Sequence, residues 1–128
     1  MLDHLELSVS NLPRSTEFFR AALAPLGYEL HVAAAANGFG VSMAALDFWL
    51  HEGEASTPRP HFAFHCARRA LVDRAYRAAL EAGGIDNGAP RLLPHIHEHY
   101  YAAFVRDPDG HNVEFVCHAA EALRALAE

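Results

Sequence analysis

The sequence predicts an α+β domain built from two β-α-β-β-β modules, and two observations support this fold class. The chain has 128 residues, 52% of them apolar and 20% charged, which is typical of one globular domain. The sequence also resembles itself after a shift of 57 residues, from position 4 to position 61, with residues 20–23 and 77–80 identical in type. The same structural unit is therefore predicted twice.

Each module begins with an alternating strand that leads into an amphipathic helix of about three turns. Polar or small residues alternate with apolar ones: His4, Glu6 and Ser8 in the first strand, and His61, Ala63 and His65 in the second. Asn11 is the predicted cap of the first helix and Pro13 lies in its opening turn, whereas Gly83 and Gly84 end the second helix.

Three extended segments are predicted after each helix, at 28–34, 39–43 and 46–51 in the first module and at about 89–93, 100–106 and 111–117 in the second. The polar, proline-bearing segment 52–60 joins the modules, and Asp-Pro-Asp-Gly at 107–110 is a predicted turn. We therefore predict a single domain over 1–118, with modules at about 2–51 and 61–118. The tail 119–128 is expected to form a short helix at most.

Composition and charge narrow the classes of function. The formal net charge of −6, without a local basic run, argues against nucleic acid and membrane-surface binding. No apolar stretch approaches the length of a membrane span, so a cytoplasmic protein is expected. Cys66 and Cys117 lie in apolar runs without metal-type spacing, which predicts buried, reduced thiols.

Chemistry is expected on the polar faces of the strands. The chain has ten histidines, and imidazole is the commonest metal ligand among side chains. In the last strand, Val113 and Phe115 define the apolar face, which leaves Glu114 on the opposite one. A carboxylate in the middle of a sheet is costly unless it is paired or bound to a metal. Glu114 is therefore a candidate ligand.

Four segments resemble a known family, the vicinal oxygen chelate superfamily of glyoxalases, extradiol dioxygenases and bleomycin-resistance proteins. They are Asp-His-Leu-Glu-Leu-Ser-Val at 3–9, Arg-Ser-Thr-Glu-Phe-Phe at 14–19, Leu-Gly-Tyr at 26–28, and the stretch 104–115 around Asp-Pro-Asp-Gly-His-Asn-Val-Glu. The resemblance implies paired modules that form an open, barrel-like cup. It also implies that His4, His61 and Glu114 hold a divalent metal ion, either Fe, Mn, Ni, Co or Zn.

The resemblance is incomplete at two positions. The fourth family ligand position is Trp49, which cannot bind a metal, so the set of two His and one Glu resembles the extradiol arrangement more than the glyoxalase cage. The tyrosine expected ten residues before the carboxylate is replaced by Phe104. Tyr100 and His97 are the candidate catalytic groups in its place, and Glu98 also stays open as the base. Trp49 and Phe104, together with His65, are candidates for substrate binding.

The sequence leaves two functions open. The first is a metal-dependent lyase, isomerase or dioxygenase that acts on a small substrate with neighbouring oxygens. The second is a metal-free protein that binds a small molecule against Trp49, as in bleomycin resistance. A homodimer is expected in both cases, because short sheet edges need cover. The alternate histidines His95, His97 and His99 are interpreted as a solvated loop over the cleft rather than a second metal site.

Overall fold

The computed structural model describes residues 1–120, which form two modules of equal design. Strands and helices of the first module are β1 Leu5–Val9, α1 Leu12–Leu23, β2 Glu29–Val32, β3 Asn37–Gly40 and β4 Leu46–Glu52. Those of the second are β5 His61–His65, α2 Arg69–Glu81, β6 Ile85–Leu92, β7 Tyr101–Arg106 and β8 Asn112–Cys117. The predicted β-α-β-β-β repeat is confirmed.

The two sheets have the same strand order. Sheet one runs β1-β4-β3-β2 and sheet two runs β5-β8-β7-β6. In each sheet the first strand pairs in parallel with the last, and the remaining pairs are antiparallel. The described strands form two separate sheets rather than a closed barrel, as the open-cup prediction requires.

The start of α1 follows from its capping residues. The Asn11 side chain accepts a hydrogen bond from the Arg14 backbone N–H at 3.0 Å, which satisfies one of the free amides at the helix start. A proline in the opening turn costs nothing there because its missing N–H would lack a helical partner. A short 3-10 helix, Ala24–Leu26, follows and ends at Gly27, whose φ of 81° lies in the left-handed region.

A single core joins the modules. Phe19 of α1, Phe48 of β4 and both Phe62 and Phe64 of β5 belong to one continuous apolar cluster. The Phe48 ring lies 5.6 Å from Phe62 and 5.1 Å from Phe64, so the aromatic contacts cross between the modules. The helix-bearing faces of both sheets therefore point into the core, and their opposite faces point outward.

Some element bounds differ from the predicted ones. The third strand was expected to reach residue 43 but ends at Gly40, where a Cβ atom would lie 2.0 Å from the Ala45 carbonyl oxygen. The chain turns there into a short 3-10 helix, Met43–Ala45. Strand β6 starts at Ile85, four residues earlier than expected, because Ile85 and Asp86 already pair with residues 106 and 105 of β7.

Cys66 and Cys117 are both free and buried, as predicted. Burial, reinforced by Cys117, raises the pKa of the Cys66 thiol to about 12. No helix within residues 1–120 has the length and apolar character of a membrane span. The predicted terminal helix falls mostly on residues 121–128, which lie outside the described residues.

Candidate functional site

His61 and Glu114 face each other on the outward face of sheet two. His61 Nδ1 lies 2.7 Å from the Asn112 carbonyl oxygen, which can only accept, so Nδ1 carries the proton and donates it. The other ring nitrogen, Nε2, lies 3.0 Å from Glu114 Oε1. In the neutral imidazole Nε2 carries a lone pair, which repels the negative charge of a carboxylate. A proton or a cation between the two atoms removes that repulsion.

Glu114 is buried, and Tyr100 covers it. The residue is 3% exposed, although it lies on the face of β8 that points away from the core. The Tyr100 hydroxyl donates a hydrogen bond to Glu114 Oε2. Burial, followed by this hydrogen bond, raises the pKa of the Tyr100 phenol to about 12. Tyr100 therefore keeps its proton at neutral pH. The residue lies one position before β7 begins and still reaches the carboxylate.

The Tyr100 phenol pKa provides a test of this contact. We expect Glu114→Gln to lower that pKa from about 12 toward the ordinary value near 10, because the carboxylate charge that opposes phenolate formation is gone. The pKa is measured from the pH dependence of the tyrosine Cζ signal in NMR, assigned with Tyr100→Phe. A Tyr100 pKa that is unchanged in Glu114→Gln would show that the hydroxyl and the carboxylate do not interact.

His4 lies just before β1 and has the same kind of support as His61. Its Nδ1 is 2.7 Å from Asp3 Oδ1, so Nδ1–H donates to the carboxylate and Nε2 is the remaining lone pair. A second hydrogen bond of this kind is typical of metal-binding histidines. Asp3 was not among the predicted site residues, although its position next to His4 in the sequence is a usable signal.

A cleft of about 530 Å³ opens where β1 and β5 approach each other. Both His4 and His61 line it, together with His65 and an apolar floor that includes Phe48 and Phe62. Within residues 1–120, however, no three His, Cys, Asp or Glu side chains already surround one possible metal position. The structure thus brings His61 and Glu114 together, while His4 remains beside Asp3.

Trp49 occupies the module-one position that corresponds to Glu114. In β4 it pairs with Glu6 of β1, and Glu114 pairs with Ala63 of β5, the residue 57 positions after Glu6. The predicted equivalence is therefore confirmed. The indole lies across Gly38, where an added Cβ would meet the ring at 2.9 Å. Glycine at this position lets the half-buried ring form a flat wall on the open face of sheet one.

Phe104 and Arg91 flank the His61–Glu114 pair. Phe104 pairs with Glu114 across β7 and β8, and its ring stacks on His61 with centroids 6.2 Å apart. The Arg91 guanidinium lies 5.9 Å from the Phe104 ring centroid. Arg91 was not predicted as a site residue, because no motif marks it and only the register of β6 brings it to this face.

The remaining predicted residues, His65 and His97, lie beyond Tyr100. The Tyr100 ring packs edge-on against His118 at 5.1 Å, and His118 in turn contacts the rings of His65 and His97. His97 is linked to Glu114 through Tyr100, both by its carbonyl, which accepts a hydrogen bond from the Tyr100 N–H, and by its ring, which contacts His118. His118 was not among the predicted site residues, although its spacing of four from Glu114 puts it on the same strand face.

Solved structures with the same fold include several of this superfamily. A glyoxalase/bleomycin resistance protein from Albidiferax ferrireducens has 21% identity and a TM-score of 0.76, covering 90% of this chain and 96% of that one. A putative glyoxalase from Bacillus halodurans has 27% identity and a TM-score of 0.64, covering 91% and 95%. The fosfomycin resistance protein FosX of Listeria monocytogenes, in complex with Mn(II) and 1S,2S-dihydroxypropylphosphonic acid, has 21% identity and a TM-score of 0.69, covering 97% and 92%.

No curated protein sequence matches this chain, but a family model does. The model described as the glyoxalase/bleomycin resistance protein/dioxygenase superfamily matches residues 1–115, which include both modules and the Asp-Pro-Asp-Gly turn. This range agrees with the segments that carry the resemblance and with the repeated fold. The chain therefore belongs to the glyoxalase/bleomycin resistance protein/dioxygenase superfamily.

Proposed function

We propose that the protein is a metal-dependent enzyme of this superfamily, acting on a small substrate with two neighbouring oxygens. The single observation that carries the proposal is the 3.0 Å approach of His61 Nε2 to Glu114 Oε1. Two ligands bound at right angles to one ion, each roughly 2.0–2.2 Å from it, are about 3 Å apart. The spacing of these two atoms therefore fits a shared divalent ion.

The chemistry of the two groups supports the same assignment. Glu114 is buried, and its hydrogen-bond partners within residues 1–120 are a phenol and an imidazole rather than a lysine or arginine. An uncompensated buried carboxylate is costly, and a divalent cation would offset that cost. His61 has its Nδ1 proton engaged by a backbone carbonyl, which aims the Nε2 lone pair at the carboxylate.

The surrounding side chains suggest how a substrate would be held. A divalent ion at this position supplies Lewis-acid polarisation of substrate oxygens. Tyr100 orients Glu114 and holds a proton at its hydroxyl, while Phe104 excludes water beside His61. Arg91, whose guanidinium lies over the Phe104 ring, suits an anionic substituent on the substrate. These contacts favour Tyr100 over His97 as the proton-holding group next to the ligands.

A second copy of the chain is the proposed source of the third ligand. The two sheets share one core on their helix-bearing faces, so the face with Trp49 and the face with Glu114 both point outward. We propose a homodimer in which the open face of sheet one covers the open face of sheet two in the other copy. His4 of one copy would then join His61 and Glu114 of the other.

Mixing two defective subunits tests the dimer and the ligand set together. Each single variant, His4→Ala and Glu114→Gln, loaded with Mn²⁺ and purified alone without a histidine tag, is expected to lose the Mn²⁺ that the wild type retains. When the two are co-expressed, half of the dimers are mixed and each mixed dimer has one intact site, so about a quarter of the wild-type Mn²⁺ content returns. Metal content is measured by elemental analysis for Fe, Mn, Ni, Co and Zn.

Other outcomes point to other arrangements. If each single variant loses its metal but mixing restores none, His4 acts in its own chain and the exchanged dimer is wrong. If wild-type protein holds no metal and takes up none of the five ions, the enzyme assignment is wrong. The second function, a metal-free binding protein, is then favoured, and the flat Trp49 wall over Gly38 is the observation that supports it.

A further inference from the structure

Four imidazoles meet at one end of the open face of sheet two, and we name His65, His97, His99 and His118 the imidazole cluster. The His118 ring is its centre, 6.4 Å from His65 and 5.9 Å from His97 between centroids. His99 completes the chain of contacts at 6.1 Å from His97. The cluster lies on the far side of Tyr100 from Glu114, so it is separate from the His61–Glu114 pair.

Three different segments of backbone position the cluster. His65 is the last residue of β5, and His118 directly follows β8, which runs parallel to β5. His97 comes from the loop between β6 and β7. Backbone hydrogen bonds close that loop, from the Leu93 N–H to the Tyr100 carbonyl at 2.8 Å and from the Tyr100 N–H to the His97 carbonyl at 3.1 Å. The sheet and a closed loop therefore deliver the imidazoles to one place.

We propose that His65, His97 and His118 form a second metal site, with His99 as the fourth donor, for a divalent ion that prefers nitrogen ligands. Two imidazoles bound to one tetrahedral zinc at roughly 2.0–2.1 Å have ring centroids about 5 Å apart. The centroid distances of 5.9 and 6.4 Å exceed this by about one ångström. The rings do not yet surround a metal position, so binding requires them to turn toward each other.

The contacts of the rings allow that movement. The histidines of the cluster are exposed or, for His99, half-buried, so their rings can rotate without displacing core side chains. His97 Nδ1 accepts a 3.2 Å hydrogen bond from the His99 backbone N–H, a long contact that metal binding would exchange for a stronger one. His65 and His118 stack with an angle of 12° between their planes, which leaves ring edges open to a shared ion.

The donor set predicts which ions bind. One carboxylate, Glu98, lies at the outer edge of the cluster, with its Oε2 3.8 Å from His99 Nε2. A centre of imidazoles suits Zn²⁺, Ni²⁺, Co²⁺ or Cu²⁺, whereas Mn²⁺ and Mg²⁺ prefer oxygen ligands. The second site should therefore discriminate against Mn²⁺ more strongly than the His61–Glu114 pair, which includes a carboxylate.

Calorimetric titration of tag-free protein with Zn²⁺, Ni²⁺ and Mn²⁺ tests the proposal. The Glu114→Gln variant is expected to keep one equivalent of Zn²⁺ or Ni²⁺ and to show no binding of Mn²⁺. Adding His118→Ala to Glu114→Gln should lower the remaining affinity at least about tenfold, and adding His97→Ala should do the same. His95→Ala is the matched control, because His95 lies in the same loop but takes no part in the ring contacts that join the cluster. The affinity of this control should stay within about twofold.

The two metal sites fail independently in this design. The proposal is overturned if Glu114→Gln binds no Zn²⁺ or Ni²⁺, or if His118→Ala, His97→Ala and His95→Ala leave the same affinity. If His118→Ala loses the metal and Glu114→Gln retains it, the second site is supported and the proposed function is wrong. Thermal unfolding without metal, measured for each variant, separates loss of a ligand from loss of fold.

Discussion

Glu114→Gln is expected to weaken Mn²⁺ binding by more than about 100-fold without reducing the stability of the metal-free protein. Removing only an outer-shell partner already costs roughly 10- to 100-fold in affinity, and Glu114 is proposed as a direct ligand. The neutral amide has nearly the same shape and is cheaper to bury than a carboxylate without a cation. A purely structural glutamate would give the opposite pattern, with lower stability and unchanged metal affinity.

The stability half of this prediction is measured by urea unfolding with and without metal. Saturating metal at about 1,000 times its dissociation constant should raise the free energy of unfolding of the wild type by about 4 kcal/mol. That increment should vanish in Glu114→Gln, provided Mn²⁺ is used to avoid the imidazole cluster. Glu29→Gln, which neutralises an exposed glutamate of β2, is the matched control and should retain the full increment.

Phe48→Ala is expected to lower the free energy of unfolding by about 3–5 kcal/mol, a large share of the roughly 5–15 kcal/mol typical of a domain. The Phe48 ring contacts Phe19 at 4.9 Å and Phe39 at 5.9 Å within its own module. It also contacts Phe62 and Phe64 of the other module. Truncation therefore opens a cavity at the joint and removes contacts that hold the modules together.

The control for Phe48→Ala is Val32→Ala, which removes methyl groups from a residue that is 69% exposed and should change stability by less than about 0.5 kcal/mol. Phe48→Leu keeps most of the buried volume and should cost clearly less than alanine. Chemical denaturation followed by fluorescence of Trp49 gives all three values. A cost below about 1 kcal/mol for Phe48→Ala would mean that the joint contributes little to folding.

Local sequence signals explain why the fold was predictable. Alternation over Leu5–Val9 and Asn112–Cys117, with capping at Asn11, depends on neighbours in the chain, and those elements have nearly the expected bounds. The early end of β3 was not predictable. It depends on the close approach of Gly40 to the Ala45 carbonyl, which is a tertiary contact.

The site was predictable only in part, for the same physical reason. Strand parity placed Glu114 opposite the apolar face, and its contact with His61 follows from the parallel pairing of β5 with β8. The bond from Tyr100 depends on how a loop folds back, and the position of Arg91 depends on a strand register with shifts. Neither leaves a periodic trace in the sequence. The ligand role of His4 stays a prediction.

Each sheet is built from the strands of one module, and this affects the order in which the chain folds. Strand β1 pairs with β4, and β5 with β8, so the longest closures that the hydrogen-bonded pairs require span about 40–50 residues instead of the whole chain. Each half can complete its backbone pairing before the other has formed. Cooperativity between the halves then rests on side-chain packing at the aromatic joint, and in hydrogen exchange the two sheets are natural candidates for separate opening units.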